Sequence, residues 1–242
     1  MSRKTRRNQP DPGAPQSQQA IEAGIRRRTR LLMIFGAALL LVIGAGIFWS
    51  QWDSGGSPEP DDTAARMAAA ASIGAPTLGD DGAKVHIVEF IDPACETCAA
   101  FFPKVKELLA ANPGRIRVSI RHLAFHTGAD YAVRVLEASR RQGKYWQTLE
   151  ALLGSQSQWA VNHSVQQELV LPAIAHVGLD IERLEADMNA PEVAQRMQQD
   201  RGDAVTLKVT ATPEYYVNGR PLPSFGLEQL QNLVREELEK AY

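Results

Sequence analysis

The spacing of apolar residues changes along the chain, and each change predicts a different element. From Leu31 to Trp49 the residues LLMIFGAALLLVIGAGIFW run for nineteen positions without a charge. As a helix this stretch would extend roughly 28 Å, close to the ~30 Å hydrocarbon core of a bilayer. Lys84 to Ile91 (KVHIVEFI) is a β-branched and apolar run of the kind that makes a buried strand, and Arg115 to Ala124 (RIRVSIRHLA) reads as a second strand. An Ala/Phe/Lys/Leu stretch between them reads as a helix to about Ala111, so the segment predicts a strand–helix–strand unit.

Between Ala124 and Thr206 the spacing turns helical: Tyr131, Val135 and Leu136, then Tyr145, Trp146, Leu149 and Leu152. Ser164 with Gln167 predicts a capping box, Gly178 a helix stop and Asp180 an N-cap. Thr212-Pro213 then leads into EYYV, an Asn-Gly turn and Arg220-Pro221-Leu222, the pattern of a hairpin. Leu227, Leu230, Leu233, Val234 and Leu238 define one face of a closing helix.

Charge sharpens the reading of the apolar run. The whole chain of 242 residues carries −2, but residues 1–30 hold eight Lys/Arg against Asp11 and Glu22, or +6. The remainder therefore carries −8, with 18 basic and 26 acidic side chains. An acidic body lacks the clustered cations that phosphate neutralisation needs, so nucleic acid is not an expected partner. A basic head before an apolar run, with Trp49 and Trp52 at its far end, matches the positive-inside and aromatic-belt signatures of a membrane span.

A cleavable signal peptide shares the basic head and apolar stretch, but bulky Phe48, Trp49 and Trp52 stand where a cleavage site needs small residues. The expected organisation is a basic cytoplasmic tail over 1–30, a transmembrane anchor over 31–52 and a flexible linker over 53–73. Within the linker, DSGGSPEPDDT has tether composition and Ala64 to Ser72 reads as a short helix. Residues 74–242 then form one α/β domain with a helical insertion over about 125–206. Everything after the anchor is expected outside the cytoplasm, on a single-pass protein of the inner membrane whose N-terminus is cytoplasmic.

The candidate chemistry is a pair of thiols. Cys95 and Cys98, the chain's two cysteines, fall three apart where a predicted strand turns into a predicted helix. Positions i and i+3 at a helix start bring two sulfurs within disulfide range. The first also faces unpaired N–H groups and the positive end of the helix dipole, which favour thiolate. Cys95 is then the attacking thiol and Cys98 the resolving one. Two other uses stay open. A static bridge would suit an exported tethered binding module. A metal carrier would need ligands from His86, His122, His126, His163 or His176, since a tetrahedral site takes four ligands and no second CxxC exists.

With these residues in view, the chain resembles the thioredoxin superfamily, and more closely its DsbA-like branch of exported thiol–disulfide oxidoreductases. The shared pattern is Glu89-Phe90, Asp92, Cys95, Cys98 and Pro103, with Thr212-Pro213 and the following Tyr215-Tyr216-Val217-Asn218-Gly219. The resemblance implies a thioredoxin fold carrying a helical insertion, with a cis peptide bond at Pro213 facing the cysteines. It implies that Glu89 is a buried acid relaying protons for the second cysteine, rather than an ordinary strand-edge glutamate. Pro103 would kink the first helix. Thr212 and Pro213 would hold an extended substrate, flanked by Glu96 and Thr97 of the CxxC turn.

The implied partners are cysteine-containing exported proteins and a membrane redox partner that regenerates the cysteine pair, with the bilayer engaged through residues 31–52. No cofactor or metal is expected, because the cysteines themselves carry the electrons. One departure changes the expectation. The strong oxidants of the family place Pro-His between the cysteines, whereas Glu96-Thr97 stands here. A carboxylate beside the nucleophile, with Glu214 after Pro213, opposes the thiolate and predicts a weaker oxidant.

Overall fold

The computed structural model describes Ala69, Ala71 and residues 74–242. The basic tail, the apolar run of 31–52 and nearly all of the linker lie outside the described residues, as does the predicted Ala64–Ser72 helix except for Ala69, which is helical, and Ala71, which is in a turn. Among the described residues no helix is long and apolar enough to cross a membrane.

The predicted strand–helix–strand unit is present as β2 (Val85–Ile91), α1 (Glu96–Ala111) and β3 (Ile116–His122), after a short β1 (Thr77–Gly79) that the sequence pattern did not reveal. β2 and β3 run parallel in unbroken register from Val85↔Ile116 to Ile91↔His122. The hairpin β6 (Glu214–Val217) and β7 (Arg220–Pro221) completes a sheet of order β1-β3-β2-β6-β7, in which every pairing except β2–β3 is antiparallel. Asn218 and Gly219 turn the hairpin with φ of 48° and 80°. Positive φ at both central residues matches the twist of the flanking strands, which is why Asn-Gly signalled the turn.

Alternation along β2 divides the core. Val85, Ile87 and Ile91 face α1 and the closing helix α8 (Leu227–Ala241), joined by Phe102, Val105, Leu230, Leu233 and Val234. Val88 and Phe90 point the other way, into a smaller cluster with Leu123, Ala204, Leu207, Val209 and Tyr216. Leu227, predicted on the buried face of α8, is only partly buried at the helix start.

The insertion holds α2 (Ala129–Arg140), α3 (Tyr145–Gly154), α4 (Gln156–Trp159), α5 (Gln167–Ala173), a 3-10 turn at Ala175–Val177, α6 (Ile181–Met188) and α7 (Pro191–Thr206). It is not wholly helical: β4 (Ala160–Val161) and β5 (Ser164–Val165) form a small hairpin inside it. The predicted Ser164–Gln167 capping box is therefore absent. Ser164 is spent on strand pairing with Val161, and Gln166 takes the cap position of α5 without a side-chain bond. Gly178 does end the 3-10 turn, at φ 71°, and Asp180 caps α6 by accepting from Arg183 N.

Candidate active site

The Cys95–Cys98 turn is built by a carboxylate that the sequence reading named but gave no task. Asp92, fully buried at the end of β2, accepts from Ala94 N at 2.8 Å through Oδ1. Its Oδ2 accepts from Phe125 N (2.7 Å), His126 N (2.8 Å) and His126 Nδ1 (2.8 Å). One buried carboxylate thus fixes the chain just before Cys95 and ties it to the loop after β3, an Asx-type turn extended across the sheet end. From the insertion, Gln156 Nε2 donates to Pro93 O at 2.7 Å. Asp-Pro-Ala immediately ahead of a CxxC was the signal available in the sequence.

Cys95 is the N-cap of α1, and its sulfur accepts from Cys98 N at 3.4 Å. The same sulfur lies 3.3 Å from Thr212 O, and the Thr212–Pro213 bond is cis, as the resemblance implied. Both thiols are free. Cys95 keeps 6% of its surface exposed and Cys98 none, which decides which sulfur an incoming chain can reach.

Their acidities part in the same sense. A hydrogen bond from the Cys98 thiol is the largest influence on Cys95. Burial acts against it, but the N–H groups of Cys98 and Thr97 and a bond to Thr212 add to it, holding Cys95 down to about 5. Burial pushes Cys98 far up, and the neighbouring Cys95 sulfur pushes it further. The balance favours a thiolate at Cys95, which keeps a small exposed edge, and a protonated thiol at the fully buried Cys98.

Glu89 lies under this pair, fully buried on β2. Burial raises its carboxyl to about 8, although a hydrogen bond from Tyr215 pulls the other way. Tyr215 Oη donates to Glu89 Oε1 at 2.9 Å, and Glu89 Oε2 has no hydrogen-bond partner. The structure therefore brings together Cys95, Cys98, Glu89, Thr212 and Pro213. Glu96 and Thr97 are exposed residues of the first helical turn, Thr97 meeting the site through its backbone N–H. Glu96 is 3.9 Å from His163 Nδ1, and the His163 ring stacks on His126 at 5.6 Å. Glu214 is itself pushed up by burial, towards its neutral form. Neither carboxylate is a leading influence on Cys95, so the sequence-based argument for a weakened thiolate loses its footing. Pro103 sits inside α1, where expected.

Among the described residues no group of three or more His, Cys, Asp or Glu side chains is placed to hold a metal ion. What the arrangement can do is exchange disulfides: an ionised sulfur at a helix start, a second thiol one turn away, a buried acid below, and a backbone carbonyl beside the sulfur.

The chain is similar to known proteins. The family model described as Thioredoxin matches residues 71–236. A thioredoxin-like oxidoreductase from Silicibacter pomeroyi superposes with a TM-score of 0.62 at 31% identity, covering 76% of this chain and all of that one. The probable disulfide bond formation protein D of Bacillus anthracis is 25% identical over 217 residues, 86% of this chain and 95% of its own length. The Na(+)/H(+) antiporter NhaA of Herminiimonas arsenicoxydans is 33% identical over 144 residues, 60% of this chain. The chain spans only 22% of that antiporter's length.

Proposed function

The chain belongs to the thioredoxin family, and we propose that it is an exported, membrane-tethered thiol–disulfide oxidoreductase that exchanges disulfides with cysteine-containing exported proteins. The observation that carries this reading is the Cys95 sulfur, low in pKa at the start of α1 and 3.3 Å from Thr212 O. In the oxidising direction a substrate thiolate attacks Cys95 of the Cys95–Cys98 bridge. Cys98 leaves and takes a proton from Glu89, and the mixed disulfide sits beside the Thr212–Pro213 loop. The substrate's second thiolate then attacks its own bridged sulfur and releases Cys95 as thiolate. Run backwards, the same steps reduce a substrate.

In this reading Thr212 and Pro213 pair with an extended substrate, while Glu96 and Thr97 meet its flanks. No cofactor takes part. A redox partner in the membrane regenerates the pair, and residues 31–52 hold the enzyme near it, raising their effective concentration. Support for the tether comes from the basic head, the uncharged run and the aromatic end of residues 1–52. The similarity to part of an antiporter supports a domain that works beside a membrane.

The test is a pair of substitutions in the full chain. Cys95→Ser abolishes thiol exchange, and Cys98→Ala accumulates a covalent adduct with exported proteins that reductant releases. Undiminished exchange in both variants overturns the assignment. A cysteine pair on membranes that stays locked against added oxidant and reductant would indicate a static bridge instead.

A further inference from the structure

Glu89 and Tyr215 are directly opposite one another in the antiparallel pairing of β2 with β6. The two-residue period of the strands therefore sets both side chains on the face that packs against α1. Ile87, Ile91, Tyr215 and Val217 share that core with Cys95 and Cys98. Tyr215 is fully buried, with Phe101 of α1 beside its ring at 6.5 Å. Packing alone would be met by a phenylalanine. The hydroxyl adds a hydrogen bond to Glu89 Oε1, and the carboxyl's other oxygen is left buried and without a partner. A donor that occupies one oxygen of a buried acid fixes which oxygen remains available.

We propose that Tyr215 is a positioning residue of the thiol chemistry: its hydroxyl pins Glu89 so that the free Oε2 is the atom that exchanges a proton with Cys98. This rests on the role given to Glu89 in the proposed function. In the reductive direction Cys95 is joined to a substrate sulfur. The Cys98 proton passes to Glu89 Oε2, and the electron pair left on Cys98 forms the bond to Cys95. The bond between Cys95 and the substrate breaks, and the substrate leaves as a thiolate with that bonding pair. In the oxidising direction the proton returns from Glu89 to Cys98 as the bridge opens.

The titratable groups around Glu89 are Tyr215 from β6, Cys95 and Cys98 from α1, and Tyr145 from α3. β3 sets apolar Ile120 opposite it. Of these groups Tyr215 is the one that lowers the carboxyl, working against burial. Without it, fewer Glu89 side chains are carboxylates at neutral pH, and Cys98 has a poorer acceptor.

The test follows the second step of reaction between the reduced full-length protein and an aromatic disulfide, in which the second equivalent of thionitrobenzoate reports attack by Cys98. Tyr215→Phe is expected to move the midpoint of the pH–rate profile upward and slow the step at pH 7 roughly fivefold, the loss of one hydrogen bond. Glu89→Gln removes that titration, and Tyr215→Phe added to it slows the step no further. A merely structural tyrosine would change the melting temperature and leave the midpoint in place.

An unmoved midpoint in Tyr215→Phe, with Glu89→Gln slow, overturns the inference and spares the role of Glu89. A Glu89→Gln protein as fast as the unsubstituted one overturns both. If Tyr215→Phe does not fold, protein grown with ring-fluorinated tyrosine supplies a stronger donor at the same place. Its midpoint must then move downward, and a midpoint that stays or rises overturns the inference.

Discussion

Two buried polar clusters lie against opposite faces of the same sheet, and they are finished differently. Against the face that carries Val88 and Phe90, Arg121 is fully buried and fully engaged. Its Nε donates to Asp200 Oδ1 at 2.6 Å, its Nη2 to Asp203, and its Nη1 to Ala69 O at 2.7 Å. Asp200 uses its second oxygen on His122 N at 2.9 Å. Against the other face Glu89 has one partner and one bare oxygen. Satisfied, a buried charge cluster locks elements in place; here it fastens α7 and the segment at Ala69 to β3. Left incomplete, a buried acid stays out of its preferred charge state and is ready to take up or give away a proton.

The strongest way to break this comparison is to leave the finished cluster half-paired. Asp200→Ala leaves the buried Arg121 guanidinium with Asp203 as its remaining carboxylate partner and strips His122 N of its acceptor, and is expected to destabilise the domain by about 3 kcal/mol. Denaturant unfolding measures it, and the Cys95 titration in whatever remains folded stays where it was. A loss below about 1 kcal/mol would mean that the cluster is not structural.

A smaller effect sharpens the other side. Glu89 titrates at about 8 in the folded protein against 4.5 as its ordinary value. A raised pKa means that the folded state holds its proton more tightly. Its contribution to stability is therefore complete below about 4.5 and is lost as pH rises through about 8. Cys95 works in the opposite sense: its depressed pKa adds stability as pH rises from about 5 towards 9.0. The difference in unfolding free energy between the protein and Glu89→Gln cancels the Cys95 contribution. It is expected to change by a few kcal/mol between pH 4.5 and 8. A difference that is flat with pH would show that Glu89 is not perturbed.

The smallest effect tests whether Asp92 belongs with the finished cluster. His126→Ala removes one of four hydrogen bonds to its carboxylate and leaves three backbone donors. A stability loss of about 1 kcal/mol is expected, with little change in Cys95 reactivity. A large shift in the alkylation rate of Cys95 would instead tie the imidazole to the thiolate.

The incomplete cluster was far more legible in the sequence than the finished one. Cys95, Cys98 and Glu89 lie on one short strand–turn–helix segment, and Thr212-Pro213 is marked by a proline before a strand and an Asn-Gly turn. Local spacing and known pattern reach all of them. Arg121 is different. In RIRVSIRHLA it looks like the solvent side of an alternating strand, as Arg117 does. It is buried because α7 brings Asp200 and Asp203 over it from about eighty residues away, and no local period records such a meeting.

The hairpin β4–β5 escaped for another reason. Two-residue strands have no period to read, and its turn uses Asn162 and His163 at φ of 51° and 59° where glycine would have signalled it. β1 is equally short. Tyr215 could be seen as a strand residue, but its partnership with Glu89 depends on the β2–β6 register, which the sequence did not supply.

The asymmetry between two sulfurs three residues apart is what makes the exchange chemistry possible. Alkylation of the reduced full-length protein across pH, with each modified cysteine identified by peptide mass, measures it directly. The expected result is one reactive thiol, Cys95, with a midpoint near 5, and a Cys98 that stays unmodified into alkaline solution while the protein is folded. Two thiols reacting together with midpoints near 9.0, the ordinary cysteine value, would contradict it.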